Sequence, residues 1–158
     1  MERLTKEELG TIIMDNKNLF YHVAKSILPN DDDCADAISE MIVKGYTKMD
    51  KIKNKNAAKA WLVRILVHEC YNILRHPQAL EIPDDLAYEE PKENRNLNDV
   101  LYELPDKLRT VLVLYYIEGY SVNEIAEMLA CTKSAVKNRL LRARKQLRKL
   151  ILEDHEYA

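Results

Sequence analysis

From Val136 onward the apolar side chains fall at Val136, Leu140, Ala143, Leu147 and Leu150, steps of four and three that an α-helix brings onto one side. The other side is as regular. Asn138, Arg142, Lys145 and Lys149 recur at the same spacing, and no acidic residue stands between Ala130 and Leu150 in a chain whose formal net charge is -2. A merely solvated helix face mixes signs so that neighbours at i and i+4 can pair. A face of one sign points to a polyanion or an acidic partner.

The residues just before this helix narrow the choice. Ser121 and Glu124 make an S-x-x-E capping box, and Val122, Ile125, Ala126 and Leu129 then mark one face of a short helix. A break at Ala130 to Thr132 separates it from the cationic helix. Helix, three-residue turn and helix is the layout of a helix-turn-helix, with small Ala126 allowing close approach and the second helix suited to a DNA major groove. On that helix Arg142 can bond a guanine edge, Asn138 an adenine edge, and Leu141 can touch a thymine methyl. Lys137, Arg144, Lys145, Arg148 and Lys149 are placed for phosphates, and Thr132, Lys133 and Ser134 stand at the helix start, where base contacts are usually made.

The rest of the chain is helical too. Thr5 with Glu8 opens a periodic run that Pro29 stops, Asp32 or Asp33 caps a second run reaching Met49, and Asn56 caps a third that ends before His76-Pro77. These three are expected to pack as one bundle. Residues 76 to 104 hold eight acids against two bases, and Pro77, Pro83 and Pro91 lie among them, so the stretch reads as an extended acidic spacer. After it come a short helix to Leu104 and another between Pro105 and Gly119. No strand alternation is visible. The expectation is an all-α chain of two small helical domains, 1–76 and 97–158, joined by an acidic linker over 77–96, with the helix-turn-helix in the second.

Other classes are disfavoured. No run of about 18 uncharged apolar residues exists and the first residues are charged, so neither membrane insertion nor export is expected, and the cytoplasm is the expected location. Cys34, Cys70 and Cys131 are odd in number and widely spaced, and they read as reduced, partly buried thiols. His22, His76 and His155 join no cluster, so no metal and no cofactor is expected. Without a glycine-rich phosphate loop or nucleophile elbow, the chain does not read as an enzyme. Trp61, Tyr115 and Tyr116 read as packing residues.

"LPDKLRTVLVLYYIEGYSVNEIAEMLACTKSAVKNRLLRARKQLRK" resembles the C-terminal domain of the extracytoplasmic-function sigma factors of bacterial RNA polymerase, in its L-P, E-I-A and V-K-x-R-L-x-R-A-R landmarks. "DCADAISEMIVKGYTKM" and "AAKAWLVRILVHECYNILR" resemble that family's promoter-melting domain. The resemblance implies a partner, core RNA polymerase, docked by Asp36, Ser39 and Glu40, with serine at position 39 where the family often has glutamine. It implies that the second domain reads the −35 element of promoter DNA. It also implies that the loop residues Ile52, Lys53, Asn54, Lys55 and Lys59, with Arg64, His68, Asn72 and Arg75 on the helix behind them, take the −10 element as a single strand. The family commonly has asparagine at position 68 and aspartate at 72. An anti-sigma factor is a further partner the family implies. A free-standing regulator using the same helix on operator DNA, and a helical scaffold for an acidic protein, are the alternatives.

Overall fold

The computed structural model describes residues 3–76 and 97–156, so the acidic segment 77–96 lies outside the described residues. Helices α1 (Lys6–Asp15), α2 (Lys17–Ile27), α3 (Asp31–Lys48) and α4 (Ala58–Arg75) form the front lobe. Helices α5 (Leu97–Tyr102), α6 (Asp106–Leu112, continued by a wider π turn over Val113–Ile117), α7 (Val122–Leu129) and α8 (Lys133–Glu156) form the rear one. No strand occurs among the described residues. The all-α expectation and the two helical domains are found.

Local chemistry moved several helix ends. The front run is broken at Asn16, whose Nδ2 donates to the Ile12 carbonyl at 2.7 Å and so competes with the main-chain ladder. The break lets Leu9 and Ile13 of α1 and Phe20, Val23 and Ile27 of α2 reach the same core from two directions. Helix α3 is capped by Asn30, which accepts from the Asp32 and Asp33 amides at 2.7 and 3.3 Å, and not by either aspartate. The aspartates fill the first turn instead, where the helix dipole favours negative charge. Asn56 does not cap α4 either. Asn54 accepts from the Asn56 amide at 2.9 Å and caps a 3-10 turn over Lys55–Ala57 that runs into the helix.

In the front lobe Phe20, Met41, Leu62 and Leu66 are fully buried, and in the rear lobe so are Val111, Leu114, Ile125 and Val136. Helices α3 and α4 approach closely because position 45 is glycine: a Cβ there would stand 3.0 Å from Leu62 Cδ2. A buried Glu69 on α4, ion-paired with Lys44 of α3, ties the same two helices together. The apolar cores of the two lobes are continuous, with α2 against α6 and α4 against α7. Cys34, Cys70 and Cys131 are free, and burial pushes the thiols of Cys34 and Cys70 up to about 11 and about 12.

Candidate nucleic-acid interface

Both bonds of the second capping box form: the Glu124 amide donates to Ser121 Oγ at 3.1 Å, and the Ser121 amide to Glu124 Oε1 at 3.0 Å. These bonds, the backbone one first, hold the Glu124 carboxyl below its ordinary pKa. Ser121→Ala is therefore expected to cost about 1 kcal/mol, read as a lower midpoint in urea. At the far end α7 stops on Ala130, which takes the left-handed conformation (φ 54°, ψ 47°), while the Cys131 amide closes back on the Ala126 carbonyl at 3.0 Å. The chain reverses there. Thr132 Oγ1 then accepts from the Ala135 amide at 3.0 Å and opens α8, so this side chain serves as a cap as well as standing at the candidate interface.

Helix α8 divides as its sequence dictates. Val136, Leu140 and Ala143 are buried and Leu147 and Leu150 pack half-buried behind them, whereas Asn138, Arg142, Lys145 and Lys149 all face solvent. Lys133, Ser134, Lys137 and Arg148 are exposed as well, and Leu141 keeps 57% of its surface open. One cation departs from expectation. Arg144 Nε donates to Tyr116 Oη at 2.7 Å and the guanidinium lies over the rings of Tyr115 and Tyr116, so one edge of it is held by the protein while the residue stays exposed. The tyrosines reach it from the π turn, and Tyr116 is itself 58% exposed. A one-residue widening of a helix leaves no periodic trace, so this contact is not legible in the residue pattern.

The front face is less uniform. Arg64, His68, Asn72 and Arg75 lie along one side of α4, Asn72 half-buried and the other three exposed. Lys53 and Asn54 are exposed on the preceding loop, but Ile52 is buried: an aliphatic side chain beside the core goes in, and the expectation that it faces DNA is corrected. Lys55 pairs with Glu8. Lys59 stands half-buried with its ammonium 4.8 Å from the centre of the Tyr120 ring, and Arg64 Nε donates to the Glu127 carbonyl at 2.6 Å. Two cations of this face thus already hold the rear lobe. Asp36, Ser39 and Glu40 are exposed together on α3, and Val43, 59% exposed, extends their row by one turn. That apolar position was not singled out from the sequence, where an isolated valine between Ile42 and Lys44 looks like core.

Sigma-70 region 2 matches residues 12–79 and sigma-70 region 4 matches residues 94–147. RNA polymerase sigma factor SigV of Bacillus subtilis (strain 168) is 34% identical over 154 residues, covering 93% of each chain. The chain belongs to the extracytoplasmic-function (ECF) group of sigma-70 factors. The ECF RNA polymerase sigma factor SigW of the same bacterium is 26% identical over 166 residues, covering 91% of this chain and 89% of that one. Two solved structures share the fold at 24% identity. They are sigma factor RpoE in complex with the anti-sigma factor NepR from Bartonella quintana (TM-score 0.69, covering 92% and 95%) and CnrH in complex with the cytosolic domain of CnrY (TM-score 0.73, covering 95% and 91%). This ECF sigma factor directs transcription initiation, with core RNA polymerase and promoter DNA as its partners. Among the described residues no helix is long and apolar enough to cross a membrane.

Proposed function

We propose that residues 97–158 place α8 in the −35 major groove, with Asn138 and Arg142 on base edges and Lys137, Lys145, Arg148 and Lys149 on phosphates. Residues 1–76 dock on core polymerase through Asp36, Ser39 and Glu40 and take the −10 strand along Lys53, Asn54, Arg64, His68, Asn72 and Arg75. His68 and Asn72 carry the groups that can stack on or bond an unpaired base, and the cations track the backbone. Residues 77–96 span the two as a linker. The protein acts in the cytoplasm and is not itself an enzyme, the chemistry belonging to the polymerase. One structural neighbour, RpoE, is bound to the anti-sigma factor NepR, and a comparable restraining partner is proposed here.

The observation that supports this reading best is the division of α8, with its aliphatic stripe inside and an unbroken cationic face outside. Run-off transcription on genomic fragments, with core polymerase in the presence and absence of the protein, tests it. Discrete promoter-directed transcripts are expected only with both. Tight, site-specific duplex binding by the isolated protein, with no effect on core polymerase, would instead make it a free-standing regulator. In salt titrations of holoenzyme binding, Lys149→Ala is expected to weaken every promoter alike and to reduce the salt slope by about one unit.

A further inference from the structure

Neighbouring side chains on an α-helix point about 100° apart, so residues i and i+1 seldom serve one contact. The wider turn over Val113–Ile117, closed by the Glu118 amide on the Val113 carbonyl at 3.0 Å, is different. There the rings of Tyr115 and Tyr116 meet edge to face with centres 4.9 Å apart, and Cζ of Arg144 lies 5.8 and 5.6 Å from those two centres. Burial does not account for the arrangement, since Tyr116 is 58% exposed and Arg144 is exposed too. A single π turn often marks a functional place instead. The bonding leaves donors over. Arg144 Nε donates to Tyr116 Oη at 2.7 Å, and no other hydrogen bond or ion pair engages the guanidinium among the described residues, so Nη1 and Nη2 keep four N–H groups. Tyr116 Oη accepts in that bond and keeps its own proton to give. Glu118, two residues beyond it, is engaged by His22 of α2. A planar fork and a hydroxyl, both donating and with no acid on the helix between Ala130 and Leu150, suit an oxygen-rich anion.

We infer, resting on the −35 reading of α8 proposed above, that Arg144 and Tyr116 form one phosphate site on the duplex, with Tyr116 as the residue that positions the guanidinium. The place of Arg144 on α8 fits. Lys137, Arg144 and Arg148 follow one another at steps of seven and four along one flank, all exposed, beside the row of Asn138, Arg142, Lys145 and Lys149. A helix in the major groove meets base edges along its outer row and the phosphates of the groove wall along its flank. At 1.5 Å per residue Lys137 and Arg148 stand about 16 Å apart along the axis, and Arg144 fills the interval between them. Bracing favours binding. A loose arginine surrenders side-chain freedom when it meets a phosphate, whereas one already stacked and bonded surrendered it on folding, so less is lost at the encounter. Tyr116 thus acts on the DNA through Arg144, from a helix that does not enter the groove.

The test neutralises phosphates one at a time. Holoenzyme formed with the full chain is bound to promoter duplexes that carry a single uncharged methylphosphonate, moved in turn through the −35 element. At one phosphate where wild type loses affinity, Arg144→Ala and Tyr116→Phe are both expected to lose most of that sensitivity, while Lys149→Ala keeps it. On unmodified promoters Arg144→Ala is expected to lower the salt slope by about one unit. Tyr116→Phe keeps the ring and the charge, and is expected to weaken every promoter about threefold through the lost hydrogen bond. Sensitivity at every phosphate that stays at the wild-type level in either variant overturns the inference. So does a matching loss of affinity for core polymerase without DNA, which assigns the pair to the polymerase instead. Wild-type holoenzyme that forms no promoter-specific complex overturns the reading of α8 on which the site rests, a distinguishable result.

Discussion

Arg109→Ala is expected to lower the free energy of unfolding by about 2 to 4 kcal/mol. The side chain satisfies four main-chain carbonyls, two in each lobe; those of Ser26, Ile27 and Leu104 are buried and that of Tyr102 is part-buried. An unmet buried carbonyl costs about 1 to 3 kcal/mol, and partial relaxation where the two lobes meet offsets some of the total. Urea denaturation measures the loss. Arg75→Ala is the matched control, because Arg75 is exposed and, among the described residues, bonds the Tyr71 carbonyl one turn before it, and its effect should stay within about 0.5 kcal/mol. Arg109→Lys separates charge from geometry: an ammonium keeps the charge at the end of α2 but cannot span carbonyls on two lobes as a planar fork does. An intermediate loss is expected for it. If Arg109→Ala unfolds like wild type, the guanidinium does not pin the two lobes together.

The sequence carried the helices, the reversal at Ala130 and the two faces of α8, because each depends on neighbours within a few positions. An S-x-x-E box, a four-three apolar rhythm and a proline stop act locally, and Ser121, Val136, Leu140 and Pro29 stand where those rules put them. What could not be read was contact between distant segments. Nothing near Arg109 in the chain distinguishes it from an exposed arginine on a helix, since its partners on α2 lie more than eighty positions away. The same holds for Arg144 and Tyr116, and for Lys59 and Tyr120. The roles of Asn16 and Asn30 are hidden for another reason: an asparagine competes with main-chain bonding as readily as it caps, and the outcome depends on the fold around it. Ile52 shows the limit of transferring a role by position within a motif, for its side chain obeys its own hydrophobicity before the motif.

Arg142→Ala is expected to relax preference at one −35 base pair by about 1 to 3 kcal/mol, roughly a five- to 150-fold loss of discrimination, while leaving the other positions intact. Arg142 lies opposite the stripe of Leu140 and Ala143, is exposed, and stands one turn from Asn138 on the same face, so its removal disturbs no core contact and no cap. Stability should then stay within about 0.5 kcal/mol of wild type, which separates a change in readout from a change in folding. A bidentate bond to guanine is lost only where that guanine stands, so a panel of single-base promoter variants, transcribed with holoenzyme, should converge at one position and diverge nowhere else. A phosphate contact behaves differently, because every sequence offers the same phosphate, and Lys149→Ala supplies that comparison. Uniform losses from both substitutions would reassign Arg142 to the backbone and leave base readout to Asn138 and the residues at the start of α8.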